Sequence, residues 1–234
     1  MIEKVRILFT NAKILVAAAT MLSAVMISNS GECRSDSPKY GAPETVSAYA
    51  EVYAYGSTDK AKKAGILQSD IGEVRQVILN EFRDNFKEFC LSDESLNKLS
   101  DVYLNKIKNS VNVSVKSSGG SADNPVVKLE AKILEKDSYE NQANNDPNLQ
   151  GLVFGALGLK NEGKTDDDLK VDPEYQKTAV ECITNFINAL DFGATKSLDV
   201  TCTKVKGSDG KTYWAPQDTA ALYQFIRDEH TSKG

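Results

Sequence analysis

Between Asp172 and Pro216 the chain spells out a helix, a stop and two strands, and no other stretch leaves so few folds open. Asp172-Pro173-Glu174 is a helix start: the aspartate caps free backbone amides, proline suits the first helical position, and the glutamate favours the positive end of the dipole. Val180, Ile183, Ile187 and Leu190 recur at helical spacing, Ala179 and Phe186 widen the stripe, and Gly193 supplies a left-handed stop. From Ser197 to Lys206, Leu198, Val200 and Cys202 alternate with Asp199, Thr201 and Thr203, the period of a half-buried strand. Gly207-Ser208-Asp209-Gly210 then turns the chain into a second strand, Lys211 to Ala215. One apolar helix stripe beside one apolar strand face predicts a helix laid over a β-hairpin.

The same order occurs earlier. Ser92 caps a helix carrying Leu96, Leu99, Tyr103 and Ile107. Val111, Val113 and Val115 alternate with polar residues up to a Gly119-Gly120 loop, and Val127, Leu129, Ala131 and Ile133 return. Each hairpin has one apolar and one polar face, so the sheet should be covered on one side only. The fold class expected is α+β, with helices packed on one face of a curved four-stranded antiparallel sheet in the order helix, hairpin, helix, hairpin. Residue identities do not repeat between the halves, so the likeness is architectural.

Two helices precede this core. Pro43 to Gly56 carries Val46, Ala50 and Tyr53 along one side, and its tyrosines are expected to pack with their hydroxyls at the surface. Asp70 to Cys90 has a long stripe of Ile71, Val74, Ile78, Phe82, Phe86 and Phe89. Lys60, Lys62 and Lys63 form a basic spot between them, read as a solvated face. From Lys136 to Val171 the pattern is weakest: Tyr139 to Asn148 reads as loop, and the glycine-bearing apolar run Leu149 to Leu159 as a short core helix, against a lid or a membrane-contacting patch. A last helix, Asp218 to Asp228, docks back through Leu222, Phe225 and Ile226.

The first thirty residues read as an export signal: Lys4, Arg6 and Lys13 precede the apolar run Ile14 to Ile27, too short for the roughly 20 residues of a spanning helix. Cleavage after Ser30 takes three cations and one anion from a formal net charge of −5, leaving −7. Residues 31–42 then form a flexible tether and 43–234 a single α+β domain. Cys33 is a candidate lipidation site, although Glu32 departs from the small residues that a lipoprotein signal carries there. In an exported protein Cys90, Cys182 and Cys202 are candidates for a disulfide or for reduced core positions, with the pairing open. The acidic balance argues against nucleic acid or anionic lipid headgroups as partners and leaves membrane association to a lipid anchor.

Few residue patterns suggest chemistry. The single histidine, His230, lies near the C-terminus, which excludes histidine-based triads and multi-histidine metal sites. No phosphate loop occurs, so no cofactor is expected. Asp166-Asp167-Asp168 lacks the spacing of a calcium loop and reads as a solvated acidic run, so no metal is expected either. No pair of carboxylates stands out as a catalytic couple. Tyr53, Tyr213 and Trp214 are the candidate ligand-binding residues.

Pro43-Glu44-Thr45-Val46, and the run Lys206-Gly207-Ser208-Asp209-Gly210-Lys211-Thr212-Tyr213-Trp214 before a last helix, resemble segments of bacterial envelope lipoproteins of unknown function. They also resemble the cystatin-like or nuclear-transport-factor-like folds, in which helices pack on a curved antiparallel sheet. The resemblance implies a cavity between sheet and helices with Trp214 inside it; such folds include enzymes, immunity-type proteins and scaffolds, so it leaves function open. The function expected is an exported, envelope-associated, non-enzymatic binding module for a small molecule or an envelope protein. The alternatives are a hydrolase using carboxylates or tyrosines in the cavity, and an inhibitor or regulator of another secreted protein. A buried Asp or Glu beside Tyr213 or Trp214 would favour the hydrolase, and the regulator predicts an exposed apolar edge or loop such as Leu149 to Leu159.

Overall fold

The computed structural model describes residues 37–227. The segment read as an export signal, Cys33 and His230 lie outside the described residues. Among the described residues eight α-helices and four strands follow in the order α1 (Ala42–Tyr55), α2 (Gln68–Phe86), α3 (Asp93–Ser110), β1 (Ser114–Gly120), β2 (Pro125–Lys132), α4 (Lys136–Asn145), α5 (Pro147–Asn161), α6 (Asp166–Val171), α7 (Pro173–Ala189), β3 (Thr195–Lys206), β4 (Thr212–Pro216) and α8 (Thr219–Arg227). The strands form one antiparallel sheet in the order β1-β2-β3-β4. The α+β class and the one-sided cover of the sheet are as the patterning implies. Contacts group the described chain into two compact units, and α2 gives residues up to Ile78 to the first and residues from Leu79 to the second.

The first unit is a helix on a sheet. Pro43 opens α1, and Gly56 closes it in the left-handed region at φ 66° with its amide bonded back to the last turn. A side chain at Gly56 would also meet Arg75 Cβ at 2.9 Å, so both the backbone angle and the close approach call for glycine. Helix α1 packs against β1, β2, β4 and α8, and it is buried on nearly every side. The register Leu129↔Leu198 and Val127↔Val200 puts these side chains on one face, and the register Lys128↔Asp199 puts a charged pair on the other. On that solvated face Glu130 draws Lys128 to 2.8 Å and Lys116 to 3.8 Å. The outer strand β1 slips register between Ser117 and Gly119, a bulge that blunts a free edge. It also starts later than Val111–Val115 implies: Asn112 turns left-handed at φ 46°, and Val111 keeps one rung, accepting from Lys132 N at 2.7 Å.

The second unit is helical. Phe86 is its centre, with ring centroids at 4.9 Å to Phe82, 5.7 Å to Phe89 and 6.5 Å to Phe186. Helix α7 starts as its sequence dictates, Asp172 accepting from the amides of Glu174 and Tyr175 at 3.1 Å. Its packing differs from the sequence expectation. The helix expected to cover the second hairpin packs on α5 and α6, and the sheet is covered by α1 and α8 instead. An amphipathic stripe specifies that a face is buried, not what buries it. A second correction concerns Tyr139 to Asn148, read as loop: most of it is α4. Polar composition hid the tertiary contacts that hold it, Tyr139 edge-on to Phe186 at 5.8 Å and Gln142 accepting from Asp191 N at 2.9 Å.

Four hydrogen bonds converge on Gln176 in the first turns of α7. Its Oε1 accepts from Ser92 N at 2.9 Å and Ser95 Oγ at 2.7 Å; its Nε2 donates to Cys90 O at 2.9 Å and Leu169 O at 2.8 Å. Beside it Tyr175 donates its hydroxyl to Phe89 O at 2.7 Å. These bonds hold the turn at Cys90, a residue in the left-handed region at φ 49°.

Candidate docking surface

The three residues singled out for ligand binding are not gathered into one site. Tyr53 lies on α1 in the core, 1% exposed, with its ring edge-on to Tyr223 at 5.3 Å and to Tyr49 at 6.0 Å. Tyr213 and Trp214 are neighbours on β4 and half-buried, and consecutive strand residues point to opposite faces. The Tyr213 ring lies over Gly65 and Gly207, where an added Cβ would come within 2.6 and 2.7 Å of it. Its hydroxyl donates to Asp209 at 2.9 Å. Trp214 stacks under its cross-strand partner Lys204, whose Nζ sits 5.5 Å from the ring centroid and 2.7 Å from Asp123.

These surroundings favour a turn lock over catalysis. Hydrogen bonds from the Lys211 side chain, and then from its backbone amide, pull the Asp209 carboxyl down to about 2. A solvent-exposed carboxylate that stays ionised near neutral pH is poorly placed as a general acid or base for Tyr213. Among the described residues the buried acid of the first unit is Asp70. Asp70, 6% exposed, acts electrostatically on Tyr49 and Tyr53, whose hydroxyls are pushed up first of all by burial.

The Tyr49 and Tyr53 hydroxyls, expected at the surface, are therefore inside, because α1 is sunk into its unit, while Tyr55 at its last turn is half-buried. Tyr49 Oη and Thr45 Oγ1 are buried with no hydrogen-bond partner among the described residues. Removing an unpaired buried hydroxyl relieves its desolvation cost. Tyr49→Phe should leave the urea midpoint unchanged or raise stability by up to about 1 kcal/mol. A loss of more than about 1 kcal/mol would show that the hydroxyl is bonded after all.

Cys90, Cys182 and Cys202 are all unbridged. Burial raises the thiols of Cys90 and Cys202, the latter to about 12, which keeps them protonated and unreactive. The three aspartates before α7 are engaged locally: Asp166 with Lys160 at 2.6 Å, Asp167 with Lys170 at 3.2 Å, and Asp168 in a capping box with Thr165. Among the described residues no group of three His, Cys, Asp or Glu is arranged to hold a metal, and no helix is long and apolar enough to cross a membrane.

Helix α5 stands apart. Asp146 caps it, accepting from Asn148 N and Leu149 N at 2.9 Å, with Pro147 in its first turn. Leu149, Leu152 and Ala156 are buried on one side. The opposite side carries Gly151, Phe154, Gly155, Leu157 and Gly158, all exposed, with Phe154 at 55% and Leu157 at 47%. No charged residue occurs from Pro147 to Leu159. A Cβ built on Gly151, Gly155 or Gly158 meets nothing within 4 Å. Each interior glycine costs a helix about 1 kcal/mol relative to alanine. The described neighbours give no steric reason for any of the three.

No protein-family model and no curated protein matches the chain. Among solved structures, a crystal structure from Bacillus subtilis described as "a putative lipoprotein (ycdA)" is similar, at 17% identity and a TM-score of 0.44, over 79% of this chain and 55% of that one. The chain thus spans about half the length of that protein.

The run Leu149 to Leu159, read as a core helix, is core on one side only. The signal for the second side was present in the sequence: Phe154 falls off the Leu149–Leu152–Ala156 stripe, and the glycines occupy the arc around it.

Proposed function

We propose that this chain is an exported, cell-envelope-associated interaction module that carries out no reaction of its own and docks through the open face of α5. One observation carries the reading. An uncharged face with two large exposed apolar side chains also bears three helix glycines for which the described neighbours give no packing reason. Exposed apolar groups beside small residues let a second backbone approach closely, an arrangement suited to a partner helix. The exported part of the reading rests on the basic and apolar residues between Lys4 and Ile27. Anchoring through Cys33 belongs to the same proposal and is read from the intact mass of the natively expressed protein. The likeness to cystatin-like or nuclear-transport-factor-like folds supports the reading only as far as a helix laid on an antiparallel sheet.

The test is site-specific photo-crosslinking in the native envelope, with a photoreactive residue at Phe154 and, as a control, at Lys211 on the exposed β3–β4 turn. A discrete adduct from position 154 and none from 211 is the expected result. Equal labelling at both positions, or no adduct from 154, would remove α5 as the docking element.

A further inference from the structure

Resting on that reading of α5, we infer that the partner it fits is a second copy of the same helix, packed antiparallel about a two-fold axis between Phe154 and Gly155.

The argument is one of self-complementarity. Gly151, Phe154 and Gly158 follow one another along the open face at spacings of three and four, small then large then small, with Gly155 and Leu157 to either side. In an antiparallel pair centred between residues 154 and 155, position 151 faces 158 of the other copy and 154 faces 155. Each Phe154 then lies on the partner's Gly155, in the space that its Gly151 and Gly158 leave open. A two-fold interface requires that one surface be its own complement, and this alternation meets the requirement. In a parallel in-register pair the two Phe154 side chains would meet each other and the glycines would face glycines.

Charge points the same way. Two copies of a chain whose net charge is −5, or −7 without its first thirty residues, carry a net like charge, but between Pro147 and Leu159 there is no charge to oppose contact. A charged peptide or an anionic surface has nothing on this face to pair with. The face is also small: a 15-residue helix is roughly 22 Å long. One such face per copy falls short of the about 800 Å² that each partner of a stable complex usually buries. The pair should therefore be weak and concentration-dependent, with a dissociation constant on the order of 100 μM.

The test uses the full chain in two steps. Sedimentation from about 10 to about 500 μM should show a monomer passing towards a dimer, and Phe154→Ser should weaken the association at least about tenfold. Cysteine pairs then read the register under mild oxidation, against the unsubstituted protein as background. Gly151→Cys mixed with Gly158→Cys should crosslink, and Gly151→Cys alone should not, because the two copies of position 151 lie about 10 Å apart along the axis, beyond disulfide reach. Crosslinking of Gly151→Cys alone would overturn the antiparallel register. A monomer at every concentration, or a dimer that Phe154→Ser leaves intact, would overturn the second copy as occupant. In the envelope photo-crosslink, an adduct of a mass other than twice the chain would do the same and leave the docking reading of α5 standing; absence of any adduct would end both.

Discussion

Gln176→Ala is expected to lower the stability of the helical unit by about 3 kcal/mol, and to do so by loosening residues 89–96. The side chain satisfies two donors and two acceptors at once: Ser92 N, Ser95 Oγ, Cys90 O and Leu169 O. Each group left unpaired costs roughly 1–3 kcal/mol when buried, and because this cluster is only part-buried, water recovers some of that. Cys90, left-handed with a buried side chain, depends on the bonds on either side of it to hold its backbone. Gln176→Glu keeps the two bonds accepted by Oε1 but turns a carboxylate oxygen toward Cys90 O and Leu169 O, so it should destabilise as well. Urea unfolding measures the loss, and hydrogen exchange of the peptide from Phe89 to Leu96 locates it. An unchanged midpoint with unchanged protection would show that α7 is held by its apolar stripe alone.

That clamp also marks a limit of sequence reading. The apolar stripe from Ile71 to Phe89 was legible: Ile71, Val74, Ile78, Phe82 and Phe86 on α2, and Phe89 in the 3-10 turn that follows it, are all buried, although the helix ends at Phe86 and not at Cys90. So were the caps at Ser92 and Asp172, which depend on residues three positions apart. The alternation in β2 and β3 was legible too, because a strand with one solvated face writes its orientation at period two. Gln176 was not legible, because its four partners come from segments 7 to 86 residues away and a polar residue in a first helical turn suggests only solvent. The partner of α7 was hidden for a related reason. An apolar stripe is the same whether it meets a sheet or other helices, so nearness in sequence to the second hairpin was a poor guide. At the candidate surface the pattern was written but underread. Counting apolar residues in Leu149 to Leu159 suggested core, and placing them around the helix separates a buried arc from an open one.

The second large effect concerns that open arc. Replacing Gly151, Gly155 and Gly158 together by alanine should stabilise the isolated chain by about 2–3 kcal/mol. Each position lies within α5, no positive φ is required at any of them, and a Cβ at each enters open space. Alanine also restricts the unfolded chain more than glycine does, which adds to the gain. A change that makes the protein more stable should at the same time make it a poorer partner, because three methyl groups fill the hollows into which a neighbouring helix is proposed to settle.

The decisive measurement is therefore made on this triple alanine variant, with thermal unfolding and photo-crosslinking from position 154 followed in parallel. The account predicts a higher midpoint together with loss of most of the adduct. A higher midpoint with the adduct undiminished would contradict it, and would leave the three glycines of α5 without a role in binding.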